Sequence, residues 1–469
     1  MSLRLCLDLL RNRKKKKKKK GTWEGAKRGG AMKRKREEKE RLCSSGDRNR
    51  IPIDLKKATV TRLPAIKLLG KVESKEEKDT TPSKLDSLHD DLKMAIMTRL
   101  PAKSLMKFRW VSKMWCSFIR RQELVDSFFA VSSAQPRFIV SFSNNAFGKP
   151  EEKLTFLLSY PEGSSSSSLV PRFEMALPVG LRASQEYCAS LHGFLSVYTD
   201  HGLMVCNPGT EQVFNLTKNT QFVGYDPIGG QHKSLSVHLR DPSSGHPHLL
   251  HKVLTLGEGG GWRDIEGTPV PYIPVSVGVC INGVIYYGGY KYNSTTDFKN
   301  KNPVVMCFDV RSEKVSFIQA PSAVVLCGKN AIFIEYNGKL ASILVHPPLA
   351  RSIPFDLWIL DDAQKHEWSK QTCVFPSSAW ESVSCRRMSF QGTNKAGEII
   401  IVPSVVNTLE VQPFYIFYYN VRTNNVRRVR LLGIGDNEEF QRSYGFLGGY
   451  ECFVRVAPHH VDSIAFLSQ

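Results

Sequence analysis

Residues that could do chemistry are spread thinly along this 469-residue chain. His246, His248 and His251 give an H-x-H-x-x-H spacing, a conceivable set of imidazole ligands for zinc. Pro242 and Pro247 break up the same stretch, and it reads as a plain loop. The phrase His366-Glu367-Trp368-Ser369 begins like the HExxH of zinc proteases, but the second His would have to stand where the chain has Lys370. Cys373 and Cys385 bracket a loop and read as ordinary thiols. The eleven Cys are odd in number and irregularly spaced, with no CxxC pair, as expected of a reduced, intracellular protein. There is no GxSxG elbow or phosphate-binding loop, and the Gly257–Gly261 run lacks the spacing and the following helix that a phosphate cradle needs. We therefore expect no catalytic residue, no metal and no cofactor, and look instead for surfaces that bind.

The net charge of +21 looks like that of a nucleic-acid binder until it is divided along the chain. Residues 1–84 hold 28 Lys and Arg against 11 Asp and Glu, whereas the other 385 residues hold 37 against 33. The excess belongs to a tail containing Arg11–Lys20 and Lys33–Leu42, runs that repel themselves and cannot bury surface. Residues 1–84 are expected to be a disordered basic tail. Two readings of it stand: a nuclear import signal or grip on nucleic acid through residues 1–50, and a solvated tail or misassigned start. The near-neutral remainder argues against a basic groove in the main body. No apolar run is long enough for a membrane helix, so no membrane partner is expected.

Residues 88–119 carry an amphipathic helical pattern. Asp90 or Asp91 is suited to cap a first helix whose Leu92, Ile96 and Leu100 share one face. Pro101 stops it or turns the chain. A second helix is expected from about Ser104, with Leu105, Phe108, Val111, Trp115 and Phe118 recurring every three or four residues. So small a module cannot bury all its apolar surface alone, and the remainder suggests a partner. Residues 51–71 repeat the text of 88–108 at 10 of 21 positions, then stop before the second helix. They read as a truncated copy, or as a weak second docking helix.

The helical text resembles the F-box of plant F-box proteins. The match covers Leu88, Asp91, Leu92, Ile96, Arg99, Leu100, Pro101, Lys103, Ser104, Leu105, Phe108, Arg109, Val111, Ser112, Lys113 and Trp115, which places an F-box at about 86–130. The resemblance implies docking onto a Skp-type adaptor and, through it, a cullin. The adaptor-binding residues expected on this basis are Leu88, Leu92, Ile96, Leu100, Pro101, Leu105, Phe108, Val111, Trp115 and Ile119. Trp115 has an equal reading as an internal packing residue, and Pro101 as a plain helix stop. The family's first Pro is His89 here and its Glu is Ala95, departures that would weaken docking.

From residue 136 to 469 short runs rich in Val, Ile, Phe and Tyr alternate with Gly, Asn and Asp, as in 138–142, 203–216, 278–290, 304–318, 331–344, 356–369 and 414–431. This is an all-β region. A strand ending in Asn or Asp followed by a polar turn and a second strand recurs at Asn207, Asp309, Asp361 and Asn420. With one weak copy in the first gap, the period is about 50, the length of a kelch-type propeller blade. A pair of β-sandwiches is the alternative. The phrases at 206–212, 223–233, 251–257, 280–287, 307–318, 336–341 and 357–369 resemble the F-box-associated domain of the same plant proteins. That resemblance implies selection of a protein for ubiquitination, and loops 226–233, 257–263 and 291–302 are candidates for the selecting surface.

The fold expected is thus a multidomain α+β chain: basic tail, helical F-box module, propeller-like β domain. The function expected is that of a non-catalytic substrate receptor in a nuclear or cytoplasmic ubiquitin ligase. An adaptor-free propeller scaffold, or nucleic-acid binding through the tail, is the alternative.

Overall fold

The computed structural model describes residues 88–467, apart from 144–154, 163–165, 172, 178–187, 200–201, 217–219, 240–248, 267–270, 292–301, 326–330, 348–351, 382, 384–386, 407–410 and 436–451. The tail at 1–84 and its truncated copy at 51–71 lie outside the described residues.

The helical part contains four helices among the described residues: α1 (Asp90–Met97), α2 (Ala102–Phe108), α3 (Lys113–Ile119) and α4 (Gln122–Ser133). The single helix expected after Ser104 is broken at Trp110–Ser112. Ser112 adopts an extended backbone (φ −157°), and its hydroxyl accepts from the Trp115 N–H at 3.2 Å. An N-cap there restarts the helix in a new direction. Leu105 and Trp115 consequently come from two helices that face one another, with the Phe108 and Trp115 rings 5.9 Å apart. The cap of α1 also differs from expectation. His89 occupies the capping position, its Nδ1 accepting from the Asp91 N–H at 3.5 Å, while Asp90 and Asp91 lie in the first turn, where the helix dipole favours carboxylates.

The β region is a ring of six sheets, antiparallel except where Ser168–Leu169 runs parallel to Asn425–Leu431, a six-bladed propeller and not a pair of sandwiches. Blade I consists of Arg137–Ser143, Thr155–Pro161 and Phe173–Leu177 together with the last described strand, Cys452–His460, and the short Val405–Val406 paired to it. Blades II to VI follow in order over residues 188–215, 222–265, 272–319, 331–375 and 388–431. Blade I is therefore stitched from both ends of the region, with Arg137 opposite His460 and Phe142 opposite Val454.

Six apolar clusters fill the six seams between blades. Alternate side chains of a strand point to opposite seams. Phe138 and Val140 thus pack with Ile400, Val402 and Val454 between blades I and VI, whereas Ile139 packs with Leu195 and Met204 between blades I and II. Both faces of the central strands are buried, which is why they read as continuous apolar runs and not as alternating ones.

The turns sort by end of the ring. At one end the chain reverses tightly at His192-Gly193, Asn282-Gly283 and Asn337-Gly338, each pair with positive φ. These are two-residue turns of the twist-matched kind that favours Asn-Gly. The same end holds the turns after each third strand, where Asn207, Asp309 and Asn420 accept backbone N–H groups two or three residues on. These are the repeat marks visible in the sequence. In blade V the residue doing this is Asp362 and not Asp361, because a bulge between Leu360 and Asp362 shifts the register by one. Blade III uses the glycine-rich stretch 256–262 instead, which accounts for the missing mark in the first gap. At the opposite end the strands lead into the longest connections.

The I/VI seam closes the ring, so its packing should be costly to damage. Phe138→Ala, at a fully buried ring stacked 5.5 Å from Tyr160, is expected to destabilise the propeller by about 3–5 kcal/mol. The check is a lowered urea midpoint for the loss of near-ultraviolet circular dichroism.

Candidate functional site

The four helices bury Met97, Leu105, Trp115, Ile119, Leu124 and Phe128 in one core. Of the adaptor-binding residues expected from the sequence, Leu105, Trp115 and Ile119 belong to this core and present no surface. Leu88, Leu100 and Phe108 are half-buried, and Pro101 is exposed at the start of α2. Leu92 (55% exposed), Ile96 (44%) and Val111 (67%) stand in solvent. So does Trp110, 91% exposed, which helical periodicity passed over because it falls off the 105–108–111 stripe. It lies in the break between α2 and α3, where that periodicity no longer applies. An exposed Trp beside a Val, with Leu92 and Ile96 on α1, is the composition of an anchor set for a protein partner.

A charged brace holds the ends of the module together. Asp90 accepts from Arg121 at 2.6 Å and from Lys93 at 3.2 Å. Arg121 and Lys93 also lie over the Phe118 ring, 4.8 and 5.9 Å from its centre. The Arg121 guanidinium, then the Lys93 ammonium, hold the Asp90 carboxyl below its ordinary range. The family's Glu is Ala95 here, and the Ala95 carbonyl accepts from the Arg99 guanidinium at 2.6 Å. The two departures from the family text, His89 and Ala95, therefore sit in a complete, capped first helix.

The module is seated on the tight-turn end of the propeller. Phe129 of α4 stacks on His192 at 3.8 Å, and His192 stacks in turn on Tyr225 of blade III at 4.1 Å. Burial keeps the His192 imidazole neutral, with its pKa pushed down to about 4 despite the pull of Asp126. Lys103 pairs with Glu211 at 3.5 Å, and Lys395 donates to the Ser133 carbonyl at 3.3 Å. Ile464, from the end of the chain, is buried in the helical core.

The three loops proposed from the sequence do not share a surface. Those at 226–233 and 257–263 lie at the end that carries the helices, and Glu313 ties their bases together by pairing with Lys233 (2.8 Å) and with Arg263. These pairs brace blade III against blade IV. The strands bounding 291–302 end at the far side of the ring, with residues 292–301 outside the described residues. The residues singled out for chemistry are structural where described. His251 is buried with its Nε2 2.6 Å from the Tyr272 hydroxyl, His366 is a positive-φ turn residue, and Cys373 is buried. His246, His248 and Cys385 lie outside the described residues. Among the described residues no group of His, Cys, Asp and Glu is placed to hold a metal ion, and no helix is long and apolar enough to cross a membrane.

Comparison with known proteins agrees with this architecture. A family model described as the F-box associated beta propeller domain matches residues 137–461, and one for the F-box domain matches 85–126. Two Arabidopsis thaliana proteins designated F-box proteins, At1g32660 and At1g30790, are 52% and 44% identical over 448 and 384 residues. The matches cover 93% and 78% of this chain and 98% and 94% of theirs. The Arabidopsis F-box protein DOR is 33% identical over 356 residues, 71% of this chain and 85% of its own. The chain belongs to the F-box proteins that carry an F-box associated β-propeller.

Core and surface positions of the module should separate experimentally. Leu105→Ala is expected to cost about 2–5 kcal/mol, and Leu92→Ala with Ile96→Ala no more than about 0.5 kcal/mol each, read as shifts in chemical denaturation. The brace gives a pH signature. Because Asp90 is depressed in the folded state, its contribution is complete at neutral pH and is lost as pH falls through its folded pKa, below about 4. Wild type should be more stable than Asp90→Asn at pH 7, and the difference should close on titration toward pH 2.

Proposed function

We propose that this protein is the substrate-recognition subunit of a Skp-cullin-F-box ubiquitin ligase. Its helical module docks on a Skp-type adaptor, through it on a cullin, and its propeller captures a target protein. The observation that carries the reading is the pairing of a complete F-box with a solvent-exposed apolar set, Leu92, Ile96, Trp110 and Val111, on a rigid propeller. Large exposed apolar residues of this kind anchor partner helices and grooves. His89 caps α1 in place of the family's Pro, so the departure leaves the docking helix formed. The chain itself is non-catalytic in this reading. It supplies proximity, raising the effective concentration of target lysines near the transferring enzyme. The target is met at the end of the ring away from the helices, since at the other end the helices and residues 461–467 cover turns of blades II and III. The protein works in the nucleus, the cytoplasm or both, with the basic residues 1–50 acting in import.

Capture of a recombinant Skp-type adaptor by the tagged full chain tests the docking step. Replacing Trp110 and Val111 together by Ala is expected to weaken capture at least about tenfold, roughly 1.4 kcal/mol, without moving the thermal midpoint. Undiminished capture by a chain with Leu92, Ile96, Trp110 and Val111 all changed to Ala would sink the reading, and an adaptor-free scaffold would replace it. For the tail, removing residues 1–50 should move a fluorescent fusion out of the nucleus; an unchanged distribution rejects an import role.

A further inference from the structure

The helical module has a component that the propeller supplies. Beyond the closing strand Cys452–His460 the chain continues as an irregular segment, 461–467, that runs between the helices and the turns of blades II and III. Ile464 is fully buried among Met97, Leu105, Trp115, Ile119 and Phe128. The Arg109 guanidinium lies over the Phe466 ring, 4.0 Å from its centre.

On the propeller side the same segment is held residue by residue. The Asn207 side-chain amide donates to the Ala465 carbonyl at 3.0 Å, and the Leu467 N–H donates to Gln212 at 3.0 Å. A Cβ at Gly193 would overlap the Cβ of Ser463, and one at Gly209 would fall 2.5 Å from the Ser463 carbonyl oxygen. Asp462 pairs with Arg137 at 2.9 Å, and Arg137 is the first residue of the strand to which the closing strand is zipped. The segment is thus anchored to the point of ring closure, to blade II and to the helical core at once.

We infer that residues 461–467 are a working part of the adaptor-docking module and that docking and ring closure are coupled through them. Four short helices of this length are near the lower limit of what folds unaided, about 40 residues. An isoleucine inserted in their core therefore counts heavily. A ring whose last strand has not seated presents helices that lack Ile464. By linkage, a ligand that binds the completed helices must in turn favour the seated strand. The ligand in this coupling rests on the adaptor reading above, whereas the dependence of the helices on the segment does not.

Hydrogen exchange of the full chain tests both halves. In Ile464→Ala the amides of α1 to α4 should exchange about tenfold faster or more, while those of blade V, 331–375, keep their wild-type rates. A chain ending at His460 should show the same effect more strongly. Unchanged helical exchange in both variants overturns the inference, as does an equal loss of protection in blade V of Ile464→Ala. In wild type, saturating recombinant Skp-type adaptor should slow exchange in 452–460 about threefold or more. Slowing confined to the helices overturns the coupling. If wild type binds no adaptor, the docking reading falls, and the comparison of helical exchange between wild type and the variants decides the inference by itself.

Discussion

The pairing of Arg137–Ser143 with Cys452–His460 is the constraint on which the molecule turns. Each seam of the ring is filled by side chains from two neighbouring blades, so no blade has a core of its own. Phe138 and Val454 share a cluster with Ile400 and Val402 only because the ends of the β region meet. Until they do, the inner faces of blades I and VI are exposed apolar surface. The cost of bringing together strands more than three hundred residues apart is entropic and grows only slowly with separation. A ladder of five paired positions, with buried Phe142, Val454 and Val456 on its seam faces, works against that cost.

That constraint extends into the helices. The F-box here sits against turns set by the blades, and its core borrows Ile464 from the segment that follows the closing strand. His192 shows how closely the two parts are fitted. It occupies a positive-φ turn position, which the side chain adopts at a cost, and lies between Phe129 and Tyr225. A ring at that point joins α4 to blades II and III in one stack. The helices and propeller therefore meet through a packed joint and not through the linker at 134–136 alone, and a partner held by one is held at a fixed aspect to the other.

Much of this was legible in the sequence where the signal is local. The helical stripe, the strand runs and the Asn and Asp turn marks depend on neighbours within a few residues, and they predicted a helical module, the all-β region and a blade length near 50, whereas the F-box was recognised by its resemblance to the family text. The failures have a common cause. The break at Trp110–Ser112 sets the capping preference of Ser112 against an uninterrupted helical stripe, and the stripe looked stronger. Trp110 became invisible with it. Leu105 and Trp115 carry the family text because they build the module, and text alone does not separate a residue that builds a surface from one that lies on it. Ile464 could not be found from sequence at all, since its place in the helical core is fixed by ring closure and nothing in residues 461–467 is amphipathic or periodic.

The two ends of the ring answer to different demands. At the helical end a reversal such as His192-Gly193 has two residues and a required backbone twist, and an insertion there would meet α4 or the 461–467 segment. At the far end the strands lead into connections such as 144–154, 240–248, 292–301 and 436–451, whose lengths differ from blade to blade. Loop length costs little in stability when the strands on either side are fixed. A propeller closed and capped at one end can therefore change the sequence and length of its other end without disturbing the ring or the joint. That division lets one end of the ring stay constant while the other is free to differ.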